Sequence, residues 1–160
     1  ASDGFIRVMH RPGFGVVAVQ SQAGSENSLG WLAQAFADNI PILVFLGGNS
    51  LNQLSVKPNF NAVQRYQGWV KHIEAIYHPN QVGDVMRRAF HALRNGAPGP
   101  VVIELISDVC NKNISEKAQN YTSPRITKKM PEHLEIEATA DALIASKTPM
   151  IWAGDGVLLS

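Results

Sequence analysis

Apolar residues along this chain alternate between short unbroken runs and helical spacing. Val16 to Val19 form an apolar run that ends in a small polar turn, Ser21 to Ser25. Leu29, Leu32, Ala33, Phe36 and Ile40 then recur at i, i+3, i+4, i+7 and i+11, the spacing of one helix face. Asp38-Asn39 and Pro41 close that segment, and a second apolar run begins at Ile42. The pattern predicts a strand over 15–20, a tight turn, a helix over 25–39 and a strand over 42–46. Ser25 is the expected helix cap, and Gly24 the residue expected to supply unusual backbone angles. Such a turn joins a strand's carboxyl end to a helix's amino end, the place where open α/β sheets bind ligands.

The rhythm continues downstream. Residues 49–68, rich in Asn, Gln and Pro, carry no period and read as a long loop of the kind that is often functional. A short strand is expected over 71–77. Asn80 is placed to cap a helix whose core face is Val82, Val85, Met86, Ala89, Phe90 and Leu93. Arg87, Arg88, His91 and Arg94 cover its other side as a solvated face, and Gly96 is a natural stop. Pro98-Gly99-Pro100 leads into a strand over 101–105. Strands apolar on both faces argue for a parallel sheet covered by helices. Residues 111–130 are polar and lysine-rich and read as a linker. A helix over 132–146 and a strand over 149–153 follow. The expected organisation is one domain over 1–110, the linker, and the opening of a second α/β domain over 131–160.

With 160 residues, 45% hydrophobic and 17% charged, the chain can bury a core. A formal net charge of +1 offers no electrostatic footprint for nucleic acid or a membrane surface, so neither is expected as a partner. The lone Cys110 forms no internal disulfide, which suits a reducing, cytoplasmic compartment. The five histidines have no HExxH spacing, no P-loop or GxSxG elbow is present, and the GFGVVA match to a dinucleotide fingerprint enters a strand instead of following one.

Five segments, in order, resemble the thiamine-diphosphate-dependent enzymes of the acetolactate synthase type. Asp3-Gly4-Phe5-Ile6-Arg7 is similar to the family's A-D-G-Y-A-R helix, SQAGSEN at Ser21 to Asn27 to its S-G-P-G-A-T-N turn, and Ala37 to Pro41 to A-D-S-V-P. Ala89-Phe90-His91 with Gly96 to Val101 is similar to A-F-x…G-R-P-G-P-V, and TPMIWAGDG at Thr148 to Gly156 to the opening of the family's central domain. The resemblance implies a truncated form of a thiamine-diphosphate-binding fold: most of a pyrimidine-binding domain and the start of a central domain. Gln22 and Ala23 depart from the family's glycine and proline, and Ile106 stands where proline is common.

The resemblance also implies a chemistry. In the family, thiamine diphosphate loses a thiazolium proton, attacks a 2-keto acid, releases carbon dioxide and carries the remaining fragment to an acceptor or a proton. A glutamate that bonds the pyrimidine ring promotes this. It is expected upstream of Ala1, so no catalytic residue is expected within the chain, and Glu26 is no substitute. Gln22, Ala23, Gly24, Ser25 and Asn27 match the turn near the cofactor. Phe60, Asn61 and Gln64 lie where the family carries a Phe-Gln pair near the reacting carbon, and Lys71 with His72 matches a Lys-His pair near the channel, giving four substrate-binding candidates. Mg2+ would be held through a missing carboxyl-terminal domain, contributed by a second subunit of a homodimer or homotetramer. Gly154-Asp155-Gly156 marks a region where relatives bind flavin, which makes FAD a candidate cofactor.

Two other readings stand beside this one. The chain is a separately encoded pyrimidine-domain subunit of a two-chain decarboxylase, or a non-catalytic α/β module that binds a nucleotide or a protein. A glutamate upstream and thiamine diphosphate binding discriminate among them.

Overall fold

The computed structural model describes residues 1–9, 13–125, 130–154 and 156–157, Lys117 for its backbone alone. The order of elements is α1 (Ser2–Met9), β1 (Gly15–Val19), α2 (Ala23–Ala37), β2 (Ile42–Gly48), α3 (Ala62–Tyr66), β3 (His72–Ile76), α4 (Val82–Arg94), β4 (Val101–Ile106), α5 (Ser107–Cys110), α6 (Glu116–Gln119) and α7 (His133–Ala145). Two short 3-10 turns, Leu51–Gln53 and Pro79–Gln81, interrupt the loops. Among the described residues no helix is long and apolar enough to cross a membrane.

The four strands form one wholly parallel sheet in the order β1-β2-β4-β3. Strands in such a sheet are covered on both faces, and two core clusters do this. One sets Val44, Leu46 and Val102 of the sheet against Leu32 and Ala35 of α2 and Ala62 and Tyr66 of α3. The other sets Leu43, Val101 and Ile103 against Val85, Ala89 and Leu93 of α4. Adjacent β4 residues alternate between the clusters because successive side chains point to opposite faces. The expected α/β class with a helix-flanked parallel sheet is the observed one.

Several local expectations change. Ser25 does not cap α2: the helix begins at Ala23, and Ser25 is buried in its first turn. The positive φ of this turn lies at Gln22 (φ 55°, ψ −107°), not at Gly24. Gly24 is instead a place of close approach, since a Cβ there would come within 2.7 Å of Gln20 Cγ. The periodless 49–68 segment holds α3, five residues long and thus too short to declare a period, capped where Asn61 Oδ1 accepts from Gln64 N at 3.1 Å. Asn80 does not cap α4. His78 and Gln81 form a capping box on the preceding 3-10 turn, while Asn80 Oδ1 accepts the Ser115 N–H at 3.0 Å.

The chain divides into two compact units, Ala1–Ile126 and Thr127–Ser160. In the first, the segment that composition reads as a linker is tied down in part. The Tyr121 ring lies 5.9 Å from that of Phe90, and Arg94 donates to Ser123 Oγ at 2.5 Å. In the second, α7 has a capping box at Glu132 and Glu135 but buries no residue. The strand expected over 149–153 does not form, because a strand needs a ladder partner and none of the described residues supplies one. Pro12, residues 126–129 of the expected linker, and Asp155 of the Gly-Asp-Gly segment lie outside the described residues.

Candidate functional site

β2 and β4 lie side by side, yet the chain leaving β2 passes over to β3 before returning to β4. The carboxyl ends of these strands therefore frame a crevice of the kind where α/β sheets bind ligands. A cleft of about 100 Å³ opens here, lined by Asn49, Gln53, Leu54, Ser55, Asn59, Phe60, Asn61, Tyr77 and Glu104. Its roof is the 49–61 loop. Asp108 Oδ2 accepts the Leu51 N–H at 2.6 Å, and the Asn59 side chain donates to Gln53 O at 3.2 Å.

The β1–α2 turn joins this loop directly. Gln22 Oε1 accepts the Phe60 N–H at 3.1 Å. Beneath it, the Tyr66 hydroxyl donates to the Ser25 carbonyl and lies 2.7 Å from Ser28 Oγ, whose single proton serves either that hydroxyl or, at 2.8 Å, the same carbonyl. Tyr66 is fully buried, so burial raises its hydroxyl pKa, the Ser28 bond opposes this, and the Glu104 charge adds to it. The network locks α3 onto the first turn of α2, and with it Phe60, whose ring meets Tyr66 edge-on at 6.0 Å.

Of the residues singled out in the sequence, Gln22, Ser25, Phe60 and Asn61 are thus brought together. Ala23 and Asn27 are exposed at the start of α2, Gly24 is half-buried, and Gln64 is exposed on α3. Lys71 is not part of this group. It precedes the amino end of β3, the opposite edge of a parallel sheet, and its ammonium donates to Ala92 O and, at 2.7 Å, to Asn95 O. It closes the carboxyl end of α4, and burial lowers its pKa. The arginine-rich face of α4 is engaged as well: Arg87 with Asp84, Arg88 with Glu74, and Arg94 over the Phe90 ring at 5.1 Å.

Sequence reasoning missed Glu104. It is 6% exposed and lines the cleft. Burial raises its pKa, and its charge in turn contributes to the raised value of Tyr77. The signal was present: one carboxylate inside the otherwise apolar strand VVIELI, where only a paired or functional acid is expected.

The crevice suits one small group of a ligand, not a whole cofactor. Among the described residues no group of three or more His, Cys, Asp or Glu side chains could hold a metal ion.

No family model matches the chain. It is 27% identical over 156 residues to the acetolactate synthase isozyme 3 large subunit of Escherichia coli (strain K12), covering 90% of this chain and 26% of that protein. It is 29% identical over 174 residues to the probable acetolactate synthase large subunit of Methanocaldococcus jannaschii, covering 100% of this chain and 28% of that protein. It is 33% identical over 138 residues to the glyoxylate carboligase of Escherichia coli O157:H7, covering 79% of this chain and 22% of that protein. Similarity to acetolactate synthase large subunits runs through nearly the whole chain, which spans about a quarter of the length of the curated relatives it matches.

Proposed function

We propose that this chain, akin throughout to a stretch of acetolactate synthase large subunits, is part of a thiamine-diphosphate-dependent carboligase acting on 2-keto acids. The observation that carries the reading is the similarity to both acetolactate synthases and a glyoxylate carboligase, over a segment whose β1–α2 turn borders a crevice at the carboxyl end of a parallel sheet. Thiamine diphosphate, when bound, supplies the nucleophilic carbon and the electron sink that 2-keto acid decarboxylation needs.

On this reading Gln22, Ala23, Gly24, Ser25 and Asn27 border the cofactor. The small side chains at Ala23, Gly24 and Ser25 let a ring approach the backbone, and the Gln22–Phe60 hydrogen bond sets the distance between turn and loop. Phe60 and Asn61 face the substrate side of the crevice, with Gln64 one turn further along α3. The Phe60 ring excludes water, and the Asn61 amide can orient a substrate carbonyl. Lys71 is left out because its ammonium is already bonded to two carbonyls at the other end of the sheet. The activating glutamate and the Mg2+-diphosphate site fall to other parts of a homo-oligomer in a reducing, cytoplasmic setting.

The test uses the polypeptide that carries this segment in full, assayed for thiamine diphosphate binding and for carbon dioxide release from pyruvate and glyoxylate. Expected are saturable cofactor binding and turnover of at least one of the two keto acids. Cofactor binding without turnover unless a second polypeptide is added would favour the two-chain decarboxylase. Absence of both would leave a non-catalytic α/β module.

A further inference from the structure

Glu104 sits in the cleft without a partner. No donor or cation among the described residues engages its carboxyl, whose shift has burial as its cause. No lysine, arginine or histidine lines the cleft. The titratable groups that face Glu104 are Tyr66 on α3 and Tyr77 after β3, both sensing its charge, while Asp108 nearby is bonded to Leu51 N–H. Gly48 lets the carboxyl lie flat against β2, since a Cβ there would meet Glu104 Cγ at 3.0 Å.

A buried carboxylate is costly unless paired and hydrogen-bonded. An anionic ligand entering this cleft would find no counter-charge and would face Glu104. A cation would complete it. Two parallel N–H groups can satisfy both carboxylate oxygens at once, and aromatic neighbours such as Phe60 and Tyr77 favour planar cations. The cleft is small, about 100 Å³, so the group it takes is a small one such as acetamidinium.

We propose that this cleft binds a small planar cationic N–H group of the amidinium class, with the Glu104 carboxylate as its counter-ion. The inference does not rest on the catalytic reading, and it keeps a keto acid's carboxylate on the open side of Phe60 and Asn61, away from Glu104. Burial raises the Glu104 pKa, and a bound cation favours the ionised carboxylate, so affinity rises and protons are released to buffer as pH passes through the carboxylate range.

The polypeptide carrying this segment in full is titrated calorimetrically with acetamidinium chloride, in two buffers of different ionisation enthalpy, across the carboxylate range to pH 8, beside Glu104→Gln and with sodium acetate as the opposite-charge probe. Expected are saturable acetamidinium binding that tightens as pH rises, buffer-dependent heat from proton release, at least tenfold weaker and pH-independent binding by E104Q, and no acetate binding. The proposal is overturned if acetamidinium fails to bind, if E104Q binds it equally, or if acetate binds better. The proton-release measurement needs no variant, so it decides the matter even if E104Q folds poorly. Success or failure here is separate from thiamine diphosphate binding and turnover, which test the catalytic reading.

Discussion

Glu104 places a carboxyl group in an otherwise apolar strand, and its protonation is linked to folding. Its folded pKa is raised by burial, so the folded chain keeps a proton that the unfolded chain has released. Stability therefore falls as pH rises from the ordinary carboxylate value, about 4.3, through the raised one, and stays lower above it. Glu104→Gln should melt like the parent at acid pH and be more stable at neutral pH, by on the order of 1–2 kcal/mol. Thermal melts across that range check it, and a variant less stable at pH 7 would contradict the burial argument. Gln22 offers a second test at this scale. Its backbone (φ 55°, ψ −107°) lies where glycine is favoured, a strain of about 1–3 kcal/mol. Gln22→Gly should be more stable than Gln22→Ala by about 1–2 kcal/mol. Both lose the bond to Phe60, so denaturant midpoints of the pair isolate the backbone term. The turn was legible in the sequence, but its strained residue was not, because glycine at 24 drew attention from the position that bears the positive φ.

At the scale of elements, α4 is held at its carboxyl end and its middle by contacts that sequence spacing does not reveal. Lys71 closes its carboxyl end through two carbonyls. Lys71→Met should cost about 1–2 kcal/mol of stability while leaving ligand binding in the crevice unchanged. Loss of binding at full stability would return Lys71 to the site. Arg88 bridges α4 to Glu74 of β3, and its hydrogen bond is the first cause of that carboxylate's lowered pKa. A lowered carboxylate pKa contributes stability above the ordinary value, lost as pH falls through the folded one. The pair is half exposed, so solvent screening limits it. Arg88→Ala should cost under about 1 kcal/mol at pH 7 and nothing in acid, by paired melts. The helices α2 and α4 were legible from their period, and the four strands as short runs set between turn residues. Five-residue α3 was not, since its stability comes from Asn61 and from the buried Tyr66 hydroxyl network and not from an amphipathic repeat.

Across the whole molecule the two units differ in kind. The first has apolar clusters on both faces of its sheet. In the second, Leu134, Ile136, Leu143, Ile144, Met150, Ile151 and Trp152 are all exposed, Trp152 at 90%. A 13-residue helix that buries nothing is marginal in water, and this many large apolar side chains left in solvent favour association. The 160-residue segment in isolation should self-associate as concentration rises, by light scattering. Removing residues 127–160 should reduce that association, and a strictly monomeric 160-residue segment would run against the argument. Order along the chain of apolar runs and helical faces was enough to determine a parallel α/β sheet and the turn that opens its ligand-binding end, because burial period and chain direction are local properties of sequence. Which residues meet there was decided by tertiary structure alone. The crossover of β3 past β4 places Glu104 beside Gly48 and under the 49–61 loop, and it sends Lys71 to the far edge. Neighbours across a sheet are set by strand order and register, which no local pattern encodes.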